Sequence, residues 1–365
     1  MSGGKRILAL VTDAYGGTGG IAAYARDTIA AMASDPRVEE VVVVPRLAGV
    51  DEEAIPADVR VERVAARGDL AYLSTIGRLL VTRRFDGIWV NHINLTPFAW
   101  VSARASRARM GLVLHGVEAW TPSPRRSVRF AAKQADLLLP VSNVTLGRFK
   151  SAYGLGERPV VVSPGSVDLD RFTPGPRPTA LAQRVGVEGK RVITTLGRLD
   201  PAENDAKGFG RIIVALPRLI QRWPDLVYVI GGEGGARGDL ERLAQTLGVA
   251  AHVRFAGLVD ERDKPDFYRL SDAFAMPSVG EGLGIVFLES LACGVPTIAS
   301  DRDGGREAVA GMGWTIDPED PAALEGALAE AFVRPRARPE ALDHFSSRRM
   351  AQRVREALDA LLAEG

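Results

Sequence analysis

The chain has 365 residues, of which 46% are hydrophobic and 25% charged, and its formal net charge is +1. This mixture is typical of a globular protein of about two domains and argues against a disordered or fibrous chain. A nearly neutral chain has no bulk attraction to nucleic acid, so we expect no nucleic-acid partner. The single cysteine, Cys293, excludes a disulfide framework and a cysteine metal cage, and indicates the cytoplasm.

Short β-branched runs alternate with amphipathic helical stretches from one end of the chain to the other. The predicted strands are residues 7–12, 41–44, 88–91, 112–115, 137–141, 160–163, 192–197, 227–232, 253–257, 273–277 and 297–300. Runs that are apolar on both faces and separated by helices indicate parallel sheets covered on both sides. The predicted fold class is therefore α/β, with two Rossmann-like doubly wound domains facing a central cleft that holds the site.

The segment F-T-P-G-P-R-P-T, residues 172–179, separates the two halves because its prolines and glycine prevent regular structure. We place the domains at residues 1–174 and 175–345. Residues 346–365 form a predicted helix that we expect to pack back toward the first domain. One face of this helix is apolar: Met350, Val354, Leu358 and Leu361.

The first predicted strand leads into the glycine-rich segment D-A-Y-G-G-T-G-G-I-A. Gly17 and Gly19 can let backbone N–H groups approach a phosphate at a helix N-terminus. Residues 17–22 also match the loose dinucleotide pattern G-x-G-x-x-A. That match is weak, because four residues separate the strand from Gly17, and Pro45 and Arg46 stand where a ribose-binding acid is expected. A glycine turn without a ligand fits the same residues.

Three further residues lie at predicted strand or helix ends. His115 ends a strand in L-V-L-H-G-V-E, where either a catalytic or a structural histidine fits. Arg198 follows a strand and Lys207 precedes a helix, so the two cations can neutralise a diphosphate at the edge of a sheet. A solvated loop with balanced charges fits them equally well, because three acidic residues lie between them.

The segment E-G-L-G-I-V-F-L-E places Glu281 among glycines and Glu289 on an apolar helix. Buried carboxylates are costly unless they are held, so two ordinary surface acids fit this segment poorly. A helix that begins near Gly284 leaves backbone N–H groups available to an anion, and a carboxylate on it can accept two hydrogen bonds from a ribose diol. The candidate backbone positions are Gly282, Leu283, Gly284 and Ile285.

Together these segments resemble the retaining GT-B glycosyltransferases, in the large family of bacterial mannosyl- and glucosyltransferases, sucrose synthases and some glycogen synthases. The resemblance covers nearly the whole chain, and its specific part is the E-x7-E element combined with G-R…K-G. The matching segments are residues 16–20, H-G at 115–116, V-S-P-G-S-V-D-L-D-R-F, G-R…K-G at 197–208, residues 281–289 and D-G-G-R-E at 303–307.

The resemblance implies that the second domain binds the nucleotide-sugar donor. Glu289 would hold the ribose hydroxyls, and Glu281 would lie against the transferred sugar. Arg198 and Lys207 would clamp the diphosphate, although the loop between them is longer than in many relatives. The expected donor is of the GDP-mannose or UDP-glucose type.

The resemblance further implies that the first domain binds the acceptor, that Gly17 and Gly19 close on the donor, and that His115 contacts the sugar near the reacting carbon. It implies a front-face reaction that retains configuration, with an oxocarbenium-like state and the leaving phosphate as base. The sequence has no cluster of acids and histidines typical of a metal site, so we expect no metal and no cofactor.

A basic stretch from Arg104 to Lys133 has seven cations against one acid, Glu118. Such a surface can dock on an anionic membrane, where a polyprenyl-linked or other glycan acceptor is held, but it also fits an ordinary solvated surface. We expect a cytoplasmic hexosyltransferase of exopolysaccharide or lipopolysaccharide biosynthesis, located at the inner face of the cytoplasmic membrane if docking occurs. Two alternatives are a non-catalytic nucleotide-sugar binding subunit and an NAD-dependent oxidoreductase.

Overall fold

A computed structural model describes residues 4–17, 19–47, 55–201 and 204–363, which form two units. The first unit comprises residues 1–166 and 347–365, and the second comprises residues 167–346. Each unit is built on one six-stranded parallel sheet.

The sheet of the first unit has the strand order β3-β2-β1-β4-β5-β6, and every neighbouring pair is parallel. This is the doubly wound order 3-2-1-4-5-6, in which the chain reverses direction across the sheet between β1 and β4. The elements of this unit, in chain order, are β1 (Lys5–Val11), α1 (Gly20–Ala33), β2 (Val38–Pro45), β3 (Val59–Val61), α2 (Asp69–Thr82), β4 (Gly87–Val90), α3 (Thr96–Ser106), β5 (Arg109–Leu114), α4 (Val117–Trp120), α5 (Arg126–Ala132), β6 (Leu137–Pro140) and α6 (Asn143–Tyr153).

The second unit repeats the same order, β12-β11-β10-β7-β8-β9, again with parallel neighbours. Its reversal point lies between β7 and β10. The elements are α7 (Thr179–Arg184), β7 (Arg191–Leu196), α8 (Asn204–Lys207), α9 (Phe209–Arg222), β8 (Leu226–Gly231), α10 (Arg237–Thr246), β9 (Val253–Gly257), α11 (Lys264–Arg269), β10 (Ala273–Met276), α12 (Ile285–Ala292), β11 (Thr297–Ser300), α13 (Gly305–Ala308), β12 (Trp314–Ile316) and α14 (Pro321–Ala331). The α/β prediction of two Rossmann-like domains is confirmed.

The boundary between the units lies between Ser166 and Val167, earlier in the chain than the predicted position near residue 175. Residues 167–174 follow the second unit because they pack on it. The N–H of Val167 donates to the carbonyl of Phe345 at 2.9 Å, and the Phe172 ring lies 6.2 Å from that of Tyr268.

The C-terminal helix α15 (Ser347–Leu362) packs on the sheet of the first unit. The four residues predicted to form its apolar face are all buried. The carbonyl of Ala360 accepts a hydrogen bond from Arg109 Nη1 at 2.9 Å. Gly87 on β4 has no side chain, and a Cβ there would lie 2.8 Å from Leu361, so close packing of the helix requires this glycine.

One predicted strand is wrong, and two short strands were not predicted. Residues 160–163 form no strand, because Val160 makes only an isolated bridge with Leu138. The unpredicted strands are β3 and β12, which lie at sheet edges and at three residues each are too short to give a periodic signal. In the part of the chain that the structure describes, no helix is long and apolar enough to cross a bilayer.

Candidate functional site

The reversal point of the second sheet brings together two of the predicted segments. β7 and β10 are hydrogen-bonded neighbours, so the loops at their carboxyl ends start side by side. Exposed Arg198 follows β7, and the loop containing Glu281 follows β10. Open doubly wound sheets bind their ligands at this point.

Lys207 and Glu281 form an ion pair at this edge of the sheet. Both side chains are mostly buried, with 25% and 14% of their surface exposed. The N–H of Val279 donates to the carbonyl of Ala206 at 2.8 Å, which ties α8 to the loop after β10. Gly208 has a φ of +78°, and a Cβ there would lie 2.3 Å from the carbonyl of Pro277. The Lys-Gly pair therefore places the lysine against Glu281.

A buried aspartate, Asp303, holds the loop that contains Glu281. Its carboxylate accepts hydrogen bonds from Ser278 Oγ at 2.8 Å, from the N–H of Glu281 at 2.8 Å and from the N–H of Gly305 at 2.9 Å. Burial raises the pKa of Asp303 to about 6, although the three donors favour its charged form. Asp303 thus fixes the backbone of Glu281. This function of Asp303 was not predicted from the sequence.

Glu289 lies on α12, with 7% of its side chain exposed. Its Oε1 is 3.4 Å from Lys264 Nζ, and its Oε2 accepts a hydrogen bond from Tyr268 Oη at 2.5 Å. Burial and the neighbouring Glu289 carboxylate raise the pKa of Tyr268, so its hydroxyl stays protonated and donates. The predicted buried carboxylate is therefore held by a cation and a hydroxyl, and α12 begins at Ile285, close to the predicted start.

In the first unit, His115 follows β5 and is hydrogen-bonded to the end of the neighbouring strand β4. Its Nε2 donates to the carbonyl of Asn91 at 2.8 Å, and the Tyr24 ring packs edge-on against the imidazole at 5.1 Å. Glu118 accepts the backbone N–H of His115 at 2.8 Å. Burial lowers the pKa of His115, while the nearby Glu118 carboxylate opposes this shift. The imidazole is held neutral at the carboxyl edge of the sheet.

The glycine loop lies between β1 and α1, and Thr18 within it falls outside the described residues. Gly19 has a φ of +93° and precedes the helix. Arg26 Nη1 donates to the carbonyls of Ala14 at 2.7 Å and Gly17 at 3.0 Å, so the loop is tied to α1. A Cβ at Gly17 would overlap the Asp13 carboxylate. The site roles of Gly17 and Gly19 stay predictions.

The structure brings together Lys207 with Glu281, and it supplies partners for Glu289 that the sequence analysis missed. Lys264 and Tyr268 precede Glu289 by more than twenty positions and share one face of α11. Their spacing could have identified them as partners of Glu289 only if the packing of α11 on α12 had been known. Among residues 4–17, 19–47, 55–201 and 204–363, no three His, Cys, Asp or Glu side chains come close enough to hold a metal ion.

Two family descriptions match the chain in succession. Residues 18–171 match Glycosyltransferase Family 4, and residues 177–346 match Glycosyl transferases group 1. A GDP-mannose-dependent alpha-(1-6)-phosphatidylinositol monomannoside mannosyltransferase from Mycolicibacterium smegmatis is 34% identical over 78% of this chain and 79% of the relative. This chain belongs to the GT-B glycosyltransferases.

Other relatives extend the match over more of the chain. A GDP-mannose-dependent monoacylated alpha-(1-6)-phosphatidylinositol monomannoside mannosyltransferase from Corynebacterium glutamicum is 31% identical over 92% of this chain and 91% of the relative. The glycosyltransferase has the fold of Anabaena HepE in complex with UDP-glucose, with a TM-score of 0.76 and 22% identity over 98% of this chain and 100% of HepE. A Rickettsia africae glycosyltransferase gives a TM-score of 0.77 at 17% identity over 99% of this chain and 100% of that protein.

The neutral His115 predicts a specific pH dependence of stability. Because the folded state lowers its pKa, the unfolded chain binds more protons below pH 6.5, and stability is lost as the pH falls from there. Replacing His115 with Gln removes this titration, so the His115→Gln variant should lose less stability than the wild type between pH 7 and pH 5. One proton contributes a slope of at most about 1.4 kcal/mol per pH unit.

The measurement is urea unfolding of both proteins across this pH range. The quantity compared is the slope of the unfolding free energy against pH, not the unfolding free energy itself. His92 also has a pKa lowered by burial, so part of the wild-type slope should persist in the His115→Gln variant. Equal slopes for wild type and His115→Gln would show that His115 is not held neutral.

Proposed function

We propose that this glycosyltransferase is a retaining, metal-independent mannosyltransferase that uses GDP-mannose and transfers mannose to a lipid-linked acceptor. The observation that carries the proposal is a pair of mostly buried carboxylates, each with a lysine partner, in the second unit. Glu281 lies at the reversal point of the sheet, where ligands of such sheets bind.

The donor half of the proposal assigns a task to each of these groups. Glu289, held by Lys264 and Tyr268, accepts the two ribose hydroxyls. Lys207 and Arg198 are the cations for the diphosphate. Lys207 already faces a carboxylate, so an arriving diphosphate exchanges one anionic partner for another rather than meeting a bare cation.

The reaction needs stabilisation of charge rather than a nucleophile from the protein. The bond between the sugar C1 and the diphosphate oxygen breaks, and the electron pair leaves with the diphosphate. The acceptor hydroxyl adds to C1 from the same face and gives its proton to the departing phosphate. Lys207 and Arg198 stabilise the charge that collects on that phosphate. His115 is proposed to contact the sugar.

The identity of donor and acceptor rests on the relatives. Both mannosyltransferases described above are GDP-mannose-dependent and act on phosphatidylinositol mannosides. This supports GDP-mannose over the UDP-glucose type and a lipid-borne acceptor with free sugar hydroxyls. The narrower prediction of exopolysaccharide or lipopolysaccharide assembly stays a prediction.

A lipid-borne acceptor gives the basic stretch of the first unit a task. Five of its seven cations are exposed: Arg104, Arg107, Arg125, Arg126 and Lys133. Arg109 and Arg129 instead bond to backbone carbonyls. Val101 on α3 and Phe130 on α5 are also exposed, at 51% and 53%, and these two helices pack together. Cations around exposed apolar side chains suit an anionic bilayer surface, so we propose docking there.

Two alternative functions differ from the proposed one in features that can be checked. A non-catalytic nucleotide-sugar binding subunit would bind the donor without turning it over. An NAD-dependent oxidoreductase would need an acid after β2, where the structure instead has Arg46 in an ion pair with Asp69 of α2.

We expect GDP to raise the melting temperature of the wild type more than UDP, ADP or NAD does. A ligand at ~100 times its dissociation constant adds ~2.7 kcal/mol, which a thermal-shift assay detects readily. In Glu289→Gln, which keeps the size of the side chain but loses its charge, the shift should largely disappear. The exposed Glu188, changed to Gln, is the control and should leave the shift intact. Stabilisation by NAD alone would contradict the transferase proposal.

We expect the wild type to sediment with phosphatidylcholine vesicles only when they contain phosphatidylglycerol. Changing Arg104, Arg126 and Lys133 together to Gln should weaken this binding about 100-fold, because each cation near an anionic surface contributes ~1 kcal/mol. The control changes the exposed Arg184, Lys190 and Arg262 of the second unit to Gln, with the same loss of charge. Equal loss in both triple variants would mean a nonspecific charge effect, not a docking surface.

A further inference from the structure

The partners of Glu289 suggest how ribose is distinguished from other sugars, an inference that rests on the proposed donor site. A carboxylate has two oxygens, each of which can accept about two hydrogen bonds. Tyr268 uses one acceptor position of Oε2, at 2.5 Å, and Lys264 lies 3.4 Å from Oε1. Each oxygen can therefore accept one further hydrogen bond. The two hydroxyls of a vicinal diol can donate these two hydrogen bonds.

Tyr268 itself has little freedom to move. It is fully buried, and its ring packs edge-on against Phe274 at 5.5 Å, with Phe172 and Phe267 each at 6.2 Å. A glutamate side chain by contrast has several rotatable bonds, and fixing it costs conformational entropy that a ligand would otherwise have to supply. A rigid hydroxyl that binds Oε2 before any ligand arrives orients the carboxylate in advance.

The contact with Lys264 is longer and more adjustable. Lys264 also pairs with Glu261 at 2.6 Å, so its charge is shared between two carboxylates. Lys264 and Tyr268 are four residues apart on α11, and one helix face therefore presents both groups to Glu289. The lysine balances the charge of the carboxylate, and the tyrosine fixes its direction.

We propose that Tyr268 is a positioning residue for Glu289 and that the preference of the donor site for a ribose over a 2′-deoxyribose nucleotide depends on its hydroxyl. Tyr268 touches no reacting atom. It acts by holding the carboxylate in the orientation that accepts both diol hydroxyls at once.

The test compares the binding of GDP and 2′-deoxy-GDP by calorimetry. Hydrogen bonds to a charged group change affinity by about 10- to 100-fold, so the wild type should prefer GDP by a factor in this range. Tyr268→Phe removes only the hydroxyl. GDP should then bind about tenfold more weakly, while binding of 2′-deoxy-GDP changes little, so the ratio of the two affinities falls toward one.

The chain offers a closely matched control in Tyr228, which is also fully buried in the second unit and donates its hydroxyl to Thr195 Oγ1 at 2.8 Å. Tyr228→Phe should keep the wild-type ratio. Lys264→Gln, a change at a partly exposed side chain, is a second variant should Tyr268→Phe fold poorly. It should also lower the ratio, but less than Tyr268→Phe does.

The outcomes separate the inference from the function on which it rests. If wild type binds GDP with a ribose preference and Tyr268→Phe keeps that ratio while weakening both ligands equally, the tyrosine is merely structural and the inference is overturned. If wild type binds neither GDP nor its deoxy form, the proposed donor site and this inference both fail. A ratio lowered in Tyr268→Phe and unchanged in Tyr228→Phe supports the inference.

Discussion

The arrangement of the second unit depends on the cost of burying a carboxylate. An ionised acid removed from water must be paired with a cation or held by hydrogen bonds, and removing a partner leaves an uncompensated charge. Glu281, Glu289 and Asp303 all meet this condition, through Lys207, through Lys264 and Tyr268, and through one hydroxyl and two backbone N–H groups. The loops after β7 and β10 are held by these partners. A site with preformed charges suits chemistry that works by electrostatic stabilisation.

Much of the fold could be predicted from the sequence, because parallel strands buried on both faces give continuous apolar runs. The run at 41–44 lies within β2, and the run at 192–197 extends one residue beyond the end of β7. The apolar run at 160–163 misled the prediction, since pairing depends on neighbours that the local sequence does not contain. The edge strands β3 and β12 were missed because three residues are too few to show a strand period.

The site was predictable only in part. Glu281 and Glu289 stand out because an acid in an apolar segment is unusual, and the Lys-Gly pair stands out because glycine allows a backbone turn. Tyr268 gives no such signal, since a tyrosine in the run D-F-Y-R-L is an ordinary core residue by its sequence. Its function depends on a contact between two helices that are separated along the chain by β10 and a loop. A sequence pattern shows where a polar group would be costly to bury, but only the tertiary structure shows which groups compensate for that cost.

Sugar transfer at the paired lysine and carboxylates can be followed by NMR of GDP-mannose incubated with the protein. With water as the acceptor, we expect slow release of mannose that is first seen in the α configuration of the donor. Lys207→Gln should be about 100-fold slower, as when a charge-stabilising donor is lost. Release of β-mannose would contradict retention. An equal rate in Lys207→Gln would contradict the assignment of this site.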